Sequence, residues 1–458
     1  MKKLSYSLVT LAALGALHFA YAEDGQNTED KTIPPSTKTS LLEALQGTTI
    51  GGYAYGQVTS MFGSDADGTA MRLRTWIDLN TGAYHGFSIG TAIYASIGGS
   101  SPNGGTFIRN SGFSPYETIP VGLRSLYGRK TFESSATVIT AGKITLATPF
   151  SDTSWDSGYG VSVDNYDVKG LGFHLQAYGA WALDNGNSIP GSYNFVDSSL
   201  EGKVSSGLTS ENGLFILGIS GDQKEFAGVG FDVWAAHSID TIDFLTFVDL
   251  NYTISGLTLQ TQVATTQVET SSRYFHSTDA SKTLDLSAKL RGLYNLQLTY
   301  NSSEHGFKAA VGYTGSFGDG YGALLNNVSS FNMGGKIWYD TLSSGANGYG
   351  ITGVGGFKNK DGSSSTIQVA YASIGYKGTA NLSLGLDYAW VSGDNNYALM
   401  KKGSANNQNM TNMNATFHEV SLSMTYAFTD KLSMSVLGGS TFGDLQMGRA
   451  RMRLNYSF

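Results

Sequence analysis

From about residue 48 to the end of the chain, apolar and polar residues alternate with a period of two. The phase is clearest at the C-terminus. Gly448, Ala450, Met452, Leu454, Tyr456 and Phe458 fall on one face, and Arg449, Arg451, Arg453, Asn455 and Ser457 on the other. Upstream, Val420, Leu422, Met424, Tyr426 and Phe428 oppose Glu419, Ser421, Ser423 and Thr425. Leu382, Leu384, Leu386, Tyr388 and Trp390 oppose Ser383, Gly385 and Asp387. Near the start, Met71, Leu73, Ile77 and Leu79 oppose Arg72, Arg74, Asp78 and Asn80. A helix would repeat its apolar positions at three and four residues, so these are strands.

Half-buried strands of a soluble sandwich also alternate. Three features favour a membrane barrel instead. The polar face is small and hydrophilic, as a lumen would be. Aromatics collect at strand ends, as at Tyr426 to Phe428 and Tyr388 to Trp390, like interfacial girdles. The chain also ends in phenylalanine, in a strand of the kind that closes bacterial outer-membrane barrels.

Connections alternate between short (167–172, 255–256, 377–380, 429–431) and long (98–119, 147–159, 184–212, 270–282, 393–414). Short turns are expected at the periplasm and long loops outside. The count is eighteen to twenty strands, and single-chain bacterial barrels carry an even number. Eighteen is preferred, with the glycine-weakened stretch 330–357 assigned to a long loop. Sixteen and twenty remain open. The expected fold is all-β, a transmembrane antiparallel β-barrel over 48–458.

The first 47 residues follow a different logic. Lys2 and Lys3 precede an apolar run from Leu4 to Phe19, and Ala20-Tyr21-Ala22 is an A-x-A cleavage site. Residues 1–22 therefore read as a secretory signal peptide. Residues 23–47 read as a periplasmic leader. It is polar to about residue 39, with Pro34-Pro35, and then holds a short helix. Ser40 and Glu43 have capping-box spacing, and Leu41, Leu42 and Leu45 give an amphipathic turn or two before Gly47.

Composition sharpens this picture. Charged residues are 14% and aromatics 12%, with 59 glycines, 7 prolines and no cysteine in 458 residues. An average soluble domain carries roughly 25% charged residues. The mean hydropathy is nonetheless slightly below zero. After the signal there is no apolar run of about 20 residues, the length a membrane helix needs. Without cysteine there is no disulfide framework and no thiolate metal site. Net charge is −7, and removing two signal lysines makes it −9. No basic block is present, so nucleic acid is excluded as a partner.

Catalytic and cofactor chemistry finds no footing. His85, His174, His237, His276, His305 and His418 are scattered singly, with no His-x-x-x-His or Glu-x-x-His cluster. Gly98-Gly99-Ser100 lacks the lysine and the following helix of a phosphate loop. No enzyme activity, metal or cofactor is expected.

The arginines are the most informative charges. Arg449, Arg451 and Arg453 lie two apart and so point the same way, and Arg72 and Arg74 repeat the arrangement. Barrel closure brings the last strand beside the first, and the first lies beside the second. The two sets then stand about 10 Å apart, two strand spacings. Between them the first strand offers Gly52, Ala54 and Gly56 on one face, as room for guanidinium groups, with its phase left open. The alternative is that the arginines sit near the rim, on lipid head groups or acidic lumenal residues.

One internal block adds a family likeness. Leu123-Arg124-Ser125-Leu126-Tyr127 is followed by Gly142-Lys143-Ile144-Thr145-Leu146-Ala147-Thr148-Pro149. This resembles the Opr (OprD-like) porins, whose pattern is roughly Arg-x-x-Tyr, a turn, then Gly-Arg-x-x-Leu-x-Thr-Pro. Lys143 stands where that family usually has Arg, keeping the charge but losing the bidentate fork. The leader from Leu41 to Gly47 and the strands from Glu419 onward are similar too. The resemblance implies eighteen strands and a loop after Thr148-Pro149 that folds inward as a constriction, with Ser151, Asp152, Ser154 and Asp156 on it. It also implies uptake of small water-soluble solutes, often carrying a carboxylate.

The expected solute path thus carries Arg72, Arg74, Arg124, Lys143, Arg449, Arg451 and Arg453. The expected function is an outer-membrane porin, a passive diffusion channel for small hydrophilic solutes, with a lumenal arginine ladder that would favour carboxylate-bearing ones. Its expected partners are outer-membrane lipid, the barrel assembly machinery and the solutes, with oligomerisation, ion selectivity and the particular solute left open. The rival is an adhesin or structural barrel acting through its long loops. A leader of 23–47 is too short to plug about eighteen strands, which favours the channel.

Overall fold

The computed structural model describes residues 40–63, 68–100, 121–154, 156–182, 213–239, 242–269, 289–302, 304–325, 329–338, 364, 366–379, 381–395 and 413–458. Residues 1–39, where the signal peptide and the polar part of the leader are expected, and most of the connections expected to be long loops lie outside them. A short helix, α1 (Leu41–Gln46), leads into eighteen strands. These are β1 (Thr49–Gly63), β2 (Gly68–Asn80), β3 (Phe87–Ser100), β4 (Val121–Thr131), β5 (Thr137–Thr145), β6 (Ser157–Asn165), β7 (Leu171–Ala182), β8 (Leu214–Gly221) and β9 (Val229–Ser238). The second half comprises β10 (Ile242–Ile254), β11 (Leu257–Val268), β12 (Leu290–Ser302), β13 (Phe307–Gly318), β14 (Gln368–Thr379), β15 (Leu382–Asn395), β16 (Met413–Ala427), β17 (Leu432–Gly443) and β18 (Met447–Ser457).

Each strand pairs antiparallel with its neighbours in sequence, and β18 closes on β1 from Tyr53↔Ser457 to Gly63↔Met447. The sheet is a closed eighteen-strand barrel with no free edge. Closure of β18 on β1 fixes the count at eighteen, and residues 329–338 form none of the strands.

Burial follows the sequence alternation. Arg449, Arg451 and Arg453 are 4%, 8% and 5% exposed, whereas Met452 and Leu454 between and beside them are 52% and 48% exposed. The apolar residues form the outer belt that meets lipid and the polar ones line the interior. The phase of β1 is now settled. Tyr53, Tyr55, Gln57, Thr59 and Met61 are buried inside. Gly52, Ala54 and Gly56 take the outer face, so they do not make room for the arginines.

α1 corrects the expected capping. Ser40 makes no side-chain cap hydrogen bond, and Leu41, Leu42 and Leu45 are exposed. Ala44 is the buried contact instead, its carbonyl taking the Gly82 N–H at 3.0 Å in the β2–β3 turn.

Gly142 shows why the family-like block needs glycine. Its φ of +136° is a conformation that residues with a Cβ rarely adopt, and a Cβ there would lie 2.2 Å from the Leu126 carbonyl oxygen. Gly142→Ala should therefore cost about 1–3 kcal/mol of barrel stability. It is expected to lower the temperature at which the folded species is lost in heat-modifiability gels. An unchanged transition would show that β4 and β5 can shift apart at no cost.

The lumenal wall and its inward segments

The interior is unequal around its circumference. The basic side is built by β18, β1, β2 and β4. Gln57 on β1 stands directly opposite Arg453 of β18 on one side and Arg72 of β2 on the other. Tyr55 likewise separates Asn455 from Arg74. The two arginine sets are therefore joined by side chains and not by a gap. Arg453 donates from Nε and Nη2 to Gln57 Oε1 at 2.8 and 2.6 Å, and its guanidinium lies 4.4 Å from the centre of the Tyr55 ring. Such stacking fixes a guanidinium plane and contributes about 0.5–2 kcal/mol.

Arg124 extends the wall at a bulge, where the β3–β4 register shifts between Ala92 and Ile93. It sits 4.8 Å over Trp76, pairs with Asp78 at 3.5 Å and donates from Nε to the Ser154 carbonyl at 2.8 Å. A bulge re-aims side chains in this way. Arg72 and Arg74 occupy the inner face of β2, Arg74 buried and Arg72 half-buried.

Lys143 departs from the sequence expectation. It pairs across the ladder with Leu126 and Tyr159, on the face where Leu126 and Val161 are exposed. Directly opposed residues share a face, so Lys143 lies outside the lumen. Its Nζ donates to the Leu123 carbonyl at 2.5 Å and lies 5.6 Å from the Tyr159 ring centre.

The loop 146–156 runs inside the barrel. Phe150 is fully buried and meets Trp234 of β9 edge-on at 6.5 Å, and Gln176 of β7 donates to the Ala147 carbonyl at 3.3 Å. Its polar residues frame the loop itself. Ser151 Oγ donates to the Leu146 carbonyl at 2.5 Å and shares a 2.7 Å bond with Thr148 Oγ1. Asp152 Oδ1 accepts the Ser154 N–H at 2.8 Å, and Asp156 Oδ2 accepts the Asp152 N–H at 2.7 Å. All four of Ser151, Asp152, Ser154 and Asp156 are buried, so their side chains hold the loop's shape more than they face open solvent.

A second inward segment comprises residues 319–325 and 329–338, the latter falling in the stretch 330–357 that the sequence assigns to a long loop. It carries Tyr321, Ala323, Leu324, Leu325, Phe331, Met333, Ile337 and Trp338, all buried. It docks on the first loop: Leu325 N–H to the Phe150 carbonyl at 2.9 Å, and Ser330 N–H to the Pro149 carbonyl at 2.8 Å. Asn332 ties it to the wall, donating from N to Gln262 Oε1 at 2.8 Å and from Nδ2 to Gln260 Oε1 at 2.9 Å. Around both segments the inner faces of β7–β12 and β14–β16 turn apolar, with Trp181, Leu214, Ile242, Val268, Leu293, Val391 and Phe417 in one core. Apolar residues pointing into a lumen need such a covering layer.

The side facing the arginines carries acid. Asp164 on β6, Asp232 on β9 and Asp249 on β10 are inward, and Asp232 and Asp249 stand directly opposite each other. In a ring of eighteen, β9 and β10 lie halfway round from β18 and β1. Asp164 bonds His174 Nδ1 at 2.7 Å, and His174 stacks on Trp234 at 4.8 Å. Among the described residues no group of three or more His, Asp or Glu side chains is placed to hold a metal.

A closed barrel with a lipid-facing apolar belt, a charged interior and loops folded into it is an outer-membrane porin. The chain belongs to the Campylobacter major outer membrane protein family, whose model matches residues 101–441. No curated protein sequence matches it. Its fold is similar to that of Pseudomonas aeruginosa OccD3 (OpdP), at 13% identity and a TM-score of 0.57, with 93% of this chain and 95% of that one covered. It is also similar to P. aeruginosa OpdL, at 10% identity and 0.59, covering 90% and 99%. Acinetobacter baumannii OccAB1 matches at 10% identity and 0.58, covering 93% and 99%. The OprD-like resemblance and the bacterial outer-membrane location are thereby established, and this family and fold serve as non-enzymatic channels.

Proposed function

We propose that this porin passes small hydrophilic solutes with a preference for those carrying a carboxylate, and that the arginine wall supplies the preference. The carrying observation is the inward row Arg453–Gln57–Arg72, flanked by Arg449, Arg451, Arg74 and Arg124 on the same side. The chemistry supports this reading. A guanidinium offers planar paired donors that match a carboxylate. In a narrowed passage its field is less screened than in bulk water. The inward segments are tied mainly to β7, β11 and β16, which on this reading leaves the passage beside the arginines of β18, β1 and β2. The acidic residues Asp164, Asp232 and Asp249 set the opposite sign across the passage, so a solute with a carboxylate at one end would enter oriented.

Liposome swelling tests the reading. Liposomes carrying the purified porin should admit dicarboxylates faster than neutral sugars of matched size. Equal or slower entry of the dicarboxylates would remove the proposed preference while leaving the channel intact.

A further inference from the structure

We propose that Glu419 is a positioning residue for the channel, anchoring the free side of the passage at a set distance from the arginine wall. The proposal rests on the channel reading above. Glu419 lies on the inner face of β16 and is completely buried. Its carboxylate is taken up by the end of the second inward segment. Oε1 accepts the Lys336 N–H at 2.6 Å, Oε2 the Trp338 N–H at 2.7 Å, and both oxygens the Ile337 N–H at 3.1–3.2 Å. Ser421 Oγ adds a fourth donor at 3.1 Å. Three successive N–H groups converging on one anion make a nest, a geometry that favours a negative charge.

The segment is shaped to present those donors. Gly334 and Gly335 have φ of +78° and +80°, which turn the chain just before Lys336. Trp338 then folds back, its Nε1 donating to the Gly334 carbonyl at 2.7 Å and its ring meeting Phe417 at 6.0 Å. Phe417 precedes Glu419 by two residues on β16, so two successive inward side chains of that strand grip the same turn.

The location gives the anchor its consequence. The row that holds Ser421 continues through Gly439 of β17 to Arg449 of β18. The clamped turn is therefore held about two strand spacings, roughly 10 Å, from the first arginine. The segment's other ties, at Asn332 and Ser330, lie on the far side, against β11 and the first inward loop. Releasing Glu419 frees the edge of the segment that borders the arginines and leaves the rest docked.

Glu419→Gln keeps the shape and removes the charge, and Glu419→Ala removes the anchor. Both are expected to give folded, heat-modifiable barrels with a higher-conductance substate in planar bilayers. Its occupancy should rise by roughly tenfold, the change that about 1.4 kcal/mol produces. Liposomes with either variant should admit larger neutral sugars, a readout of width that charge does not move. Glu419→Asp should restore much of the wild-type cutoff. Trp338→Ala loosens the same turn without touching the barrel wall, and it should open the same substate even if the Glu419 variants assemble poorly. Folded variants with the wild-type sugar cutoff and no new substate would overturn the proposal. So would a shift in reversal potential alone, which would make Glu419 a charge and not an anchor. A wild type that does not conduct would instead sink the channel reading.

Discussion

Replacing Met452 with arginine is expected to block most assembly of this barrel, and removing Tyr456-Ser457-Phe458 to do so more completely. β18 spans Met447–Ser457, so Met452 is its middle residue, and it is more than half exposed on the outer face. An arginine on the lipid face at the midplane costs about 2–4 kcal/mol, against about 0–1 near an interface. That is a large share of the roughly 5–15 kcal/mol by which a folded domain is typically stable. The three terminal residues act differently. Phe458 exchanges both backbone hydrogen bonds with Gly52 of β1 at 3.1 Å. Its ring lies over Gly52, where a Cβ would come within 2.4 Å of it, and stacks on Tyr456 at 5.9 Å. These contacts close the seam between first and last strands at its periplasmic end. Without them Gly52 to Ala54 of β1 and Leu432 of β17 lose their backbone partners, and a membrane does not tolerate unpaired backbone groups. The measurement is the folded, heat-modifiable fraction in outer membranes. A graded loss, with Met452→Arg well below Tyr456→Arg and the truncation lowest, is the expected order. Normal levels of folded truncated protein would show that the seam closes without its last pair.

The parts legible in the sequence are those set by a simple period. The outward and inward sets of β2, β15, β16 and β18 follow from alternation, because a strand gives each side chain one of two faces. The phase of β1 does not follow, since small residues alternate with tyrosines there and neither set is plainly apolar. The packing of Arg453 on Tyr55 and Gln57 shows why the tyrosines belong inside. Lys143 faces away from the lumen although the family likeness suggests the solute path, because such a likeness carries residue type and not facing. The register with Leu126 and Tyr159 decides the facing, and it depends on strand partners that are distant in sequence. The segment 319–338 was hidden for a related reason. Its apolar residues have no strand period, and its glycines look like those of a surface loop. One signal was available: Leu214, Ile216, Leu245 and Phe247 are apolar residues on the inner faces of β8 and β10. A lumen filled with water would not keep them, so something inside must cover them. Glu419 could be placed on the inner face by alternation, but its partners lie about eighty residues earlier in the chain.

Changing Arg449, Arg451 and Arg453 together to glutamine is expected to leave the barrel folded and to turn its selectivity toward cations. The side chains point inward and glutamine, though shorter and with fewer donors, stays polar, so the lipid face and the β17–β18–β1 backbone ladders are unaffected. Arg453 is engaged with Gln57 and Tyr55, and a double variant at Arg449 and Arg451 leaves those two contacts in place. For an anion about 10 Å away, each positive charge contributes about 0.4–1.7 kcal/mol at effective dielectric constants between 80 and 20. Three such charges at the weak end sum to about 1.2 kcal/mol, so anion flux should fall on the order of tenfold. Screening lengths are about 10 Å at 0.1 M salt, and the reversal potential should therefore be read at lower ionic strength. Asp249→Asn, on the opposite wall, supplies the sign control: it should move the reversal potential toward anions. Uptake of neutral sugars should change little in the arginine variants, which do not touch the anchor of the inward segment. Folded triple-variant channels with unchanged reversal potential and unchanged dicarboxylate uptake would show that the arginines hold the wall together and do not select solutes.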